Sequence, residues 1–303
     1  MERYTGRTIV GEGQYGTVYH VRSRETGKSY ALKCHKTNDD ICEDTDNGMT
    51  ESTVRELSCL SALKGHPHIV EMLDCFVYKG EMSVIMPYYP LSLSDVIYRG
   101  QRVVRLPVAF IARFSRQIAN ALFYMHGLNM VHRDLKPANV LLTADTFDVK
   151  VADMGLSRYA VGKGMSSTVV TRPYRAPELF TREGVIPYTC AVDMWSLGVM
   201  IADAMEGECV FCHPNIPTDK LIALVLDHNA RTNRNNRDIL MPNVVKHTLV
   251  NRIVFRLLCT NPTKRLTARL LLADSPWKLS SCGVTPDVLD SVKSYADIAV
   301  PPI

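Results

Sequence analysis

The periodicity of apolar residues changes near residue 92, and this change sets the main limit on the fold. Before it, Val18–Val21, Tyr30–Leu32 and Met82–Met86 are short β-type segments, and Ser52–Leu63 alone has helical spacing. After it, Val108–Met125 places its apolar residues on one stripe, as an amphipathic helix does. Further helices are expected at 192–205, 251–258 and 267–272. We therefore expect an α+β protein with a small β-rich lobe, a larger helical lobe and a ligand-binding cleft between them.

Composition argues against several classes of protein. The 303-residue chain is 46% hydrophobic and 22% charged with a net charge of +4, which is typical of a globular protein and not of a dedicated nucleic-acid binder. It contains no apolar run of the roughly 20 residues that a membrane-spanning helix needs, and no signal peptide follows Met1. We expect the nine cysteines to be free thiols in a reducing compartment, cytoplasmic or nuclear, and expect neither nucleic-acid nor membrane partners.

Two segments near the N-terminus each allow two interpretations. The glycine-rich stretch GEGQYGTVY, Gly11–Tyr19, is either a loop that covers a nucleotide or an ordinary hairpin, because a lone GxGxxG pattern is weak evidence. Lys33 ends the apolar strand YALK. Its ammonium either reaches water or, if buried, needs an anionic partner.

Three later segments concentrate acids, bases and amides. VHRDLKPANVLL follows the long predicted helix and places basic residues, an acid and an amide between His132 and Asn139. KVADMGLSR adds a second acid, Asp153, and RPYRAPELF follows it. In this order, the strand lysine, HRDLKPAN, the DMG triplet and APE resemble the motifs of the eukaryotic protein kinase family, and the resemblance covers almost the whole chain.

The resemblance implies an α+β, bilobal protein kinase fold, with a small β-rich N-lobe that carries one regulatory helix and a larger α-helical C-lobe. Residues 1–86 would form the N-lobe, 87–277 the C-lobe, and 278–303 a C-terminal tail. The implied activity is transfer of the ATP γ-phosphate to Ser or Thr of a protein substrate, with ATP and Mg²⁺ as cofactors.

The resemblance also assigns nucleotide-binding roles on both sides of the cleft. Lys33 would hold the α and β phosphates and pair with Glu56, Met86 would guard the back pocket, and Tyr89 would offer its N–H to adenine. The implied nucleotide-binding residues are Gly11, Glu12, Gly13, Gly16, Val18, Ala31, Lys33, Glu56, Met86, Tyr89 and Leu141.

Four residues are implied in catalysis: Lys33, Asp134, Lys136 and Asn139. Asp134 would accept or orient the proton of the substrate hydroxyl, and Lys136 would neutralise charge on the transferred phosphate. Asn139 and Asp153 would supply oxygen ligands to Mg²⁺. The usual Phe of the DFG triplet is Met154 here, which keeps an apolar side chain beside an intact metal ligand.

The helix segment GMTESTVREL resembles the cyclin-binding helix of cyclin-dependent kinases, although Thr50 and Glu51 differ from that signature. It would bind a cyclin-type partner or serve as an ordinary regulatory helix. Three arginines are implied to converge on a phosphate that an upstream kinase adds to the activation loop, at Ser166, Ser167 or Thr168. Tyr15 is either an inhibitory phosphorylation site or a packing aromatic. The regulatory set is Tyr15, Arg55, Arg133, Arg158, Ser166, Ser167, Thr168 and Thr171.

The sequence VVTRPYRAPE resembles the group that contains cyclin-dependent and MAP kinases, which generally phosphorylates Ser or Thr followed by Pro. Pro173 stands where this group usually has Trp. Two alternatives stay open. A MAP-kinase-like enzyme would need no cyclin, although the Thr-x-Tyr pair is missing, and a pseudokinase scaffold would explain Met154 and Pro173. The resemblance to protein kinases also implies that Glu178 and Arg265 form a buried, architectural ion pair.

Overall fold

The computed structural model describes residues 3–13, 16–36, 49–78, 80–98, 105–159, 171–180, 189–226, 237 and 239–296. Among the predicted regulatory residues, Tyr15, Ser166, Ser167 and Thr168 lie outside these ranges.

A five-stranded antiparallel sheet forms the N-terminal lobe, in the order β1-β2-β3-β5-β4. The turn between β2 and β3 uses Gly27, whose φ of 68° lies in the left-handed region that glycine adopts without strain. Val21, Leu32, Cys34 and Ile85 form the apolar core on one face of this sheet. The strands are β1 (Tyr4–Gly13), β2 (Gly16–Ser23), β3 (Ser29–His35), β4 (Asp74–Tyr78) and β5 (Glu81–Pro87).

Helix α1 (Glu51–Ala62) packs mainly against the short 3-10 turn Met154–Leu156 and begins at a capped residue. The Thr50 side chain accepts a hydrogen bond from the backbone N–H of Thr53 at 3.2 Å, and Glu51 places a negative charge in the first turn. Both features stabilise a helix N-terminus. Thr50 and Glu51 are the positions that depart from the cyclin-binding signature, and in this chain they define the start of the helix.

The second lobe is mainly helical and surrounds α3 (Val108–Gly127) and α4 (Ala191–Glu206), most of whose residues are buried. Gly198 allows α4 to approach the following helices closely, because a Cβ there would lie 2.8 Å from the Leu257 Cβ. Strands β6, β8 and β9 form a small sheet, and β7 pairs with β10. The remaining elements are β6 (Leu91–Ser92), α2 (Leu93–Tyr98), β7 (Met130–Val131), β8 (Val140–Leu142), β9 (Val149–Val151), β10 (Arg158–Tyr159), α5 (Thr218–Leu226), α6 (Pro242–Lys246), α7 (Thr248–Leu257), α8 (Ala268–Ala273), α9 (Ser275–Ser281) and α10 (Pro286–Ala296).

This arrangement confirms the predicted α+β architecture of a β-rich lobe with one helix followed by a helical lobe. The expected ion pair between Glu178 and Arg265 is also confirmed. Arg265 is fully buried and binds both carboxylate oxygens of Glu178, at 2.7 and 2.8 Å. Within the described residues, no helix is both long and apolar enough to cross a membrane.

Residues 278–296 of the predicted C-terminal tail form part of the helical lobe. The Trp277 indole N–H in α9 donates to the Ser115 hydroxyl at 3.0 Å, and α9 continues to Ser281. Helix α10 packs on α2 and α3 and buries Val292 completely. The division of the chain at residue 277 stays a prediction.

Cys209 and Cys212 form a disulfide bond in the turn after α4, so the expectation that all cysteines are free thiols is wrong for this pair. Two residues separate them, and the Cys212 N–H donates to the Cys209 carbonyl at 3.2 Å. The turn brings their Cα atoms to 5.4 Å, inside the range of about 4.4–6.8 Å that disulfides span. The Cys-x-x-Cys spacing is the sequence signal for the bond. The free cysteines among the described residues are Cys34, Cys59, Cys75, Cys190, Cys259 and Cys282.

His35, at the end of β3, is a buried polar residue that the sequence patterns did not single out. Its side chain is 2% exposed, and neither ring nitrogen has a hydrogen-bond partner among the described residues. Burial, followed by the charge of Lys33, lowers the pKa of His35 from 6.5 to about 4. The folded protein therefore holds His35 neutral at a pH where the unfolded chain binds a proton.

We predict that His35→Leu stabilises the fold and changes its response to acid. Because the folded-state pKa lies below the unfolded one, His35 reduces stability progressively as the pH falls from about 6.5 to about 4. The leucine removes this loss and the two unpaired nitrogens, and it should raise the free energy of unfolding by about 1–3 kcal/mol at pH 7. Urea unfolding at pH 7, 5.5 and 4.5 tests this, with the exposed His213→Gln as control. Equal acid sensitivity in wild type and His35→Leu would contradict it.

Candidate active site

Lys33 on β3 and Glu56 on α1 form a buried ion pair across the N-terminal lobe. Lys33 Nζ lies 2.6 and 2.7 Å from the two Glu56 carboxylate oxygens, and the two side chains are 12% and 4% exposed. Burial opposes a charged lysine, but the carboxylates of Glu56 and Asp153 outweigh it and raise the pKa of Lys33. The lysine thus has the anionic partner that burial requires.

Asp153 faces this pair from the helical lobe. Its Oδ1 lies 3.5 Å from Lys33 Nζ, is buried, and has no hydrogen-bond partner among the described residues. Although burial opposes ionisation, the charge of Lys33 and the neighbouring positive groups lower the pKa of Asp153. Its φ of 62° is unusual for a residue with a side chain, and such backbone strain is concentrated at functional sites.

Asp134 lies at the centre of a second polar cluster. Its Oδ2 accepts hydrogen bonds from Lys136 Nζ at 2.7 Å and from Asn139 Nδ2 at 3.1 Å. Its Oδ1 accepts from the Thr171 hydroxyl at 2.8 Å, and Lys136 Nζ also contacts that hydroxyl at 3.2 Å. The structure therefore brings together four residues that are up to 37 positions apart in the sequence, and holds the carboxylate from both sides.

Asp193, near the start of α4, fixes the backbone of this cluster and was not predicted from the sequence. Its two oxygens accept the backbone N–H groups of His132 and Arg133, each at 3.0 Å, and the ring of His126 at 2.9 Å. Burial opposes its ionisation, yet the hydrogen bond and charge of His126 together with the backbone donors lower the pKa of Asp193. An acidic residue at the start of an otherwise apolar helix is the sequence signal for such an anchor.

The glycines of the β1–β2 hairpin differ in how closely other atoms surround them. Gly16 is buried against β3, where an added Cβ would lie 2.3 Å from the carbonyl oxygen of Cys34, so only glycine fits. An added Cβ at Gly13 would meet nothing within 4 Å, and at Gly11 only Val18, at ordinary contact distance. Packing within the protein therefore explains why residue 16 is glycine, but it does not explain why residue 13 is glycine. Glu12, which lies between Gly11 and Gly13, is exposed.

The remaining predicted nucleotide contacts lie before, within and after the segment between β5 and β6, which joins the two lobes. Ala31 lies opposite Met86 in the β3–β5 pair, with Met86 buried and Ala31 half-buried. Leu141 lies opposite Lys150 in the β8–β9 pair, and Lys150 Nζ is 6.0 Å from the centre of the Tyr89 ring. Leu141 and Tyr89 are half-buried, so part of each side chain is open to solvent.

Two of the three predicted phosphate-binding arginines meet at an acidic residue. Arg55 pairs with the Glu51 carboxylate one turn earlier on α1, and Arg158 approaches the same carboxylate at 3.5 Å. Arg55 also donates to the carbonyl of Gly155 at 3.3 Å, which joins α1 to the segment after Asp153. Arg133 is buried with a φ of 73°. The sequence identified Glu51 only as a departure from a signature and missed its contact with both arginines.

Comparison with known proteins identifies the family. The protein kinase domain model matches residues 4–277. Cell division control protein 2 homolog 3 of Trypanosoma brucei brucei is 37% identical over 69% of this chain, and the match covers 65% of that relative's own length. Serine/threonine-protein kinase KIN28 of Saccharomyces cerevisiae is 35% identical over 67% of this chain and 63% of its own.

A solved structure agrees along almost the whole chain. A chain in the structure of the CAK complex from Chaetomium thermophilum bound to ATP-gamma-S has a TM-score of 0.74 and 30% identity, and the match covers 91% of each chain. The chain therefore belongs to the protein kinase family, among the serine/threonine kinases related to cyclin-dependent kinases.

Proposed function

We propose that this protein is an ATP-dependent serine/threonine kinase. The observation that carries the proposal is the convergence of two polar groups from different lobes. The Lys33–Glu56 pair faces Asp153, and the Asp134 carboxylate is held by Lys136, Asn139 and Thr171. Positioning and charge neutralisation are what phosphoryl transfer requires of a protein, and this set supplies both.

ATP would bind between the lobes. The family relationship supports this, and so does the similar structure, whose title describes a complex bound to ATP-gamma-S. Gly11, Gly13 and Gly16 would cover the phosphates, and the open space beside Gly13 suits a close approach of its backbone N–H to phosphate oxygens. Lys33 would contact the α and β phosphates. Contacts to the adenine and ribose side would come from Glu12, Val18, Ala31, Met86, Tyr89 and Leu141.

Mg²⁺ fits the residues at the inner end of this cleft. Asp153 offers a buried carboxylate oxygen without a hydrogen-bond partner, and the Asn139 amide nitrogen already donates to Asp134, which leaves its carbonyl oxygen for a cation. These are the hard oxygen ligands that Mg²⁺ prefers. When bound, the ion would neutralise negative charge on phosphate oxygens.

Asp134 would act on the substrate hydroxyl. Its carboxylate would orient the hydroxyl and accept its proton while the oxygen bonds to the γ phosphorus and the bond to ADP breaks. Thr171 and Asn139 limit the rotation of this carboxylate, and Lys136, at 2.7 Å from it, would neutralise charge that develops on the transferred group. Asp193 would maintain this geometry through the backbone of His132 and Arg133.

Regulation would act through α1 and the activation segment. A cyclin-type partner would hold α1 so that Glu56 stays paired with Lys33, and the relationship to cyclin-dependent kinases supports this. An upstream kinase would phosphorylate Ser166, Ser167 or Thr168, and Arg55, Arg133 and Arg158 would bind the phosphate. The Glu51 carboxylate pairs with Arg55 and lies 3.5 Å from Arg158, which lessens the repulsion between these two arginines before phosphorylation. Tyr15 would be an inhibitory site.

Substrates would carry Ser or Thr followed by Pro, as the resemblance of TRPYRAPE to the proline-directed kinases implies. Arg172, Pro173 and Tyr174 form a short 3-10 turn directly after Thr171. This turn is continuous with Thr171, which contacts Asp134, and this continuity supports the proposal that the turn would contact the residue after the phosphate acceptor. The cytoplasm or nucleus is the proposed location.

We predict that Asp134→Asn lowers the rate of phosphate transfer from ATP to a Ser-Pro peptide by about 10²–10⁴-fold, because the hydroxyl loses its proton acceptor. Asparagine keeps the shape of the side chain, so the thermal unfolding temperature should change little. Radiolabel transfer measures the rate, and Asp145→Asn, an exposed acid on the β8–β9 turn, is the control. Transfer by Asp134→Asn at the rate of the control would contradict the assignment.

We predict that activity depends on a cyclin-type partner and on proline after the acceptor. Addition of candidate cyclins to the protein, phosphorylated by an activating kinase, should raise transfer to a Ser-Pro peptide at least about tenfold, a free-energy difference of 1.4 kcal/mol. Transfer to the matched Ser-Ala peptide should stay low. Full activity without any partner would instead favour a MAP-kinase-like enzyme, and absence of transfer under all conditions would favour a scaffold.

A further inference from the structure

The turn that follows α4 has buried apolar residues on its inner side and a solvent-exposed cysteine on its outer side. Val210 and Phe211, between the two cysteines of the disulfide, are 4% and 1% exposed. Cys212 is exposed, and Cys209 is half-buried. An external thiol can therefore reach the sulfur of Cys212 while the apolar residues keep the turn attached to the helical lobe.

Hydrogen bonds connect this turn to the segment that carries Tyr174. The Val210 N–H donates to Asp203 Oδ1 at 2.9 Å, and the Tyr174 hydroxyl donates to Asp203 Oδ2 at 3.0 Å. The Tyr98 hydroxyl donates to the same Oδ2. Burial raises the pKa of Asp203 to about 7, although these hydrogen bonds oppose the shift. One carboxylate thus binds the turn, Tyr174 and Tyr98 together.

Tyr174 continues the connection to Asp134. Its backbone N–H donates to the carbonyl of Thr171 at 3.0 Å, and its own carbonyl accepts from the Ser196 hydroxyl at 2.9 Å. The Thr171 hydroxyl donates to Asp134 at 2.8 Å. A continuous set of contacts thus runs from the disulfide turn through Asp203 and Tyr174 to the proposed catalytic carboxylate.

We propose that Cys209 and Cys212 are a reversible thiol–disulfide modification site that reacts with dithiol reductants, and that the oxidised form supports the substrate side of the active site through Asp203 and Tyr174. The effect on catalysis rests on the proposed kinase function, whereas the modification itself does not. A disulfide of this kind inside a cell is typically redox-sensing or catalytic rather than structural.

The exchange begins at the exposed sulfur. A thiolate of the dithiol attacks Cys212 Sγ, the bond to Cys209 Sγ breaks, and Cys209 leaves as a thiolate that takes a proton from water. The second thiolate of the reductant then attacks the reductant's other sulfur, which is bonded to Cys212 in the mixed disulfide. Cys212 leaves as a thiolate and takes a proton from water. Two electrons pass from the dithiol, which becomes a cyclic disulfide, to the protein, which gains two thiols. Oxidised dithiol reverses the reaction.

Reduction would free the backbone of the turn and weaken the Val210–Asp203 hydrogen bond. A typical hydrogen bond of this kind changes an equilibrium roughly fivefold. We expect reduction to raise the KM for a Ser-Pro peptide by about this factor, while the KM for ATP stays unchanged, because the contacts lead to the substrate segment and not to Lys33.

The test combines two measurements on the full chain with its activating partner. Differential alkylation and mass spectrometry, after equilibration with mixtures of reduced and oxidised dithiothreitol, should show Cys209 and Cys212 changing together in one two-electron step. Cys282, which is exposed and free, should be alkylated in every mixture. Free Cys209 and Cys212 thiols in every mixture, or a disulfide that never reduces in the folded protein, would overturn the proposal.

Peptide kinetics tests the coupling. Cys212→Ser changes an exposed residue and should fold, and it should show the raised peptide KM in both redox conditions, while Cys282→Ser should respond like wild type. The coupling would be overturned if the peptide KM of Cys212→Ser still changed with the redox conditions, or if the peptide KM of the wild type did not change with them. If no form transfers phosphate while the pair still titrates, the proposed kinase function fails and the modification site stands.

Discussion

The carboxylate of Asp193 is the contact on which the site geometry depends. It is completely buried at the start of α4, where an unpaired charge would be strongly unfavourable. Two backbone N–H groups and one imidazole satisfy it, and the two backbone donors belong to the residues immediately before Asp134. The apolar packing of α4 therefore fixes the position of the loop, and the loop fixes the acid that would meet the substrate. The strained backbone of Arg133, with φ of 73°, is held in place by this contact.

The two lobes share a buried apolar cluster, and polar contacts around Asp153 also join them. Lys33 and Glu56 approach it from the N-terminal lobe, and Arg55 donates to the carbonyl of Gly155, two residues further along. Helix α1 therefore carries both the partner of the lysine and a contact with the activation segment. Any displacement of α1 would change both at once, which is the physical reason why a partner bound to α1 would control activity.

Much of this arrangement could be predicted from the sequence because it depends on residues that are close together along the chain. The change from strand to helix periodicity gave the two lobes, and the helix patterns at 108–125 and 192–205 agree with α3 and α4. Motifs such as HRDLKPAN keep their polar residues within a few positions, so their proximity follows from the chain itself. Glu178 and Arg265 are far apart in sequence, and only the family resemblance allowed their pairing to be predicted.

What could not be predicted depends on packing between distant segments. In the sequence, Asp193 is an ordinary acid near the start of a helix, and nothing indicates that it binds the backbone of His132. Glu51 likewise reads as a solvent-exposed charge, and nothing indicates that Arg158 lies beside it. His35 is polar within a β-strand, and no pattern indicates that both ring nitrogens lack partners among the described residues. The Cys209–Cys212 bond does have a local signal, but whether the spacing closes a disulfide depends on the turn geometry.

In the proposed complex, residues from both lobes surround one magnesium-bound triphosphate. Isothermal titration with a non-hydrolysable ATP analogue, with and without Mg²⁺, can test this arrangement in wild type, Asp153→Asn and the control Asp145→Asn. We expect Mg²⁺ to strengthen binding by at least about tenfold in wild type and the control, and to have little effect in Asp153→Asn. Equal affinities with and without Mg²⁺ in wild type, or an undiminished Mg²⁺ effect in Asp153→Asn, would show that the proposed magnesium site is wrong.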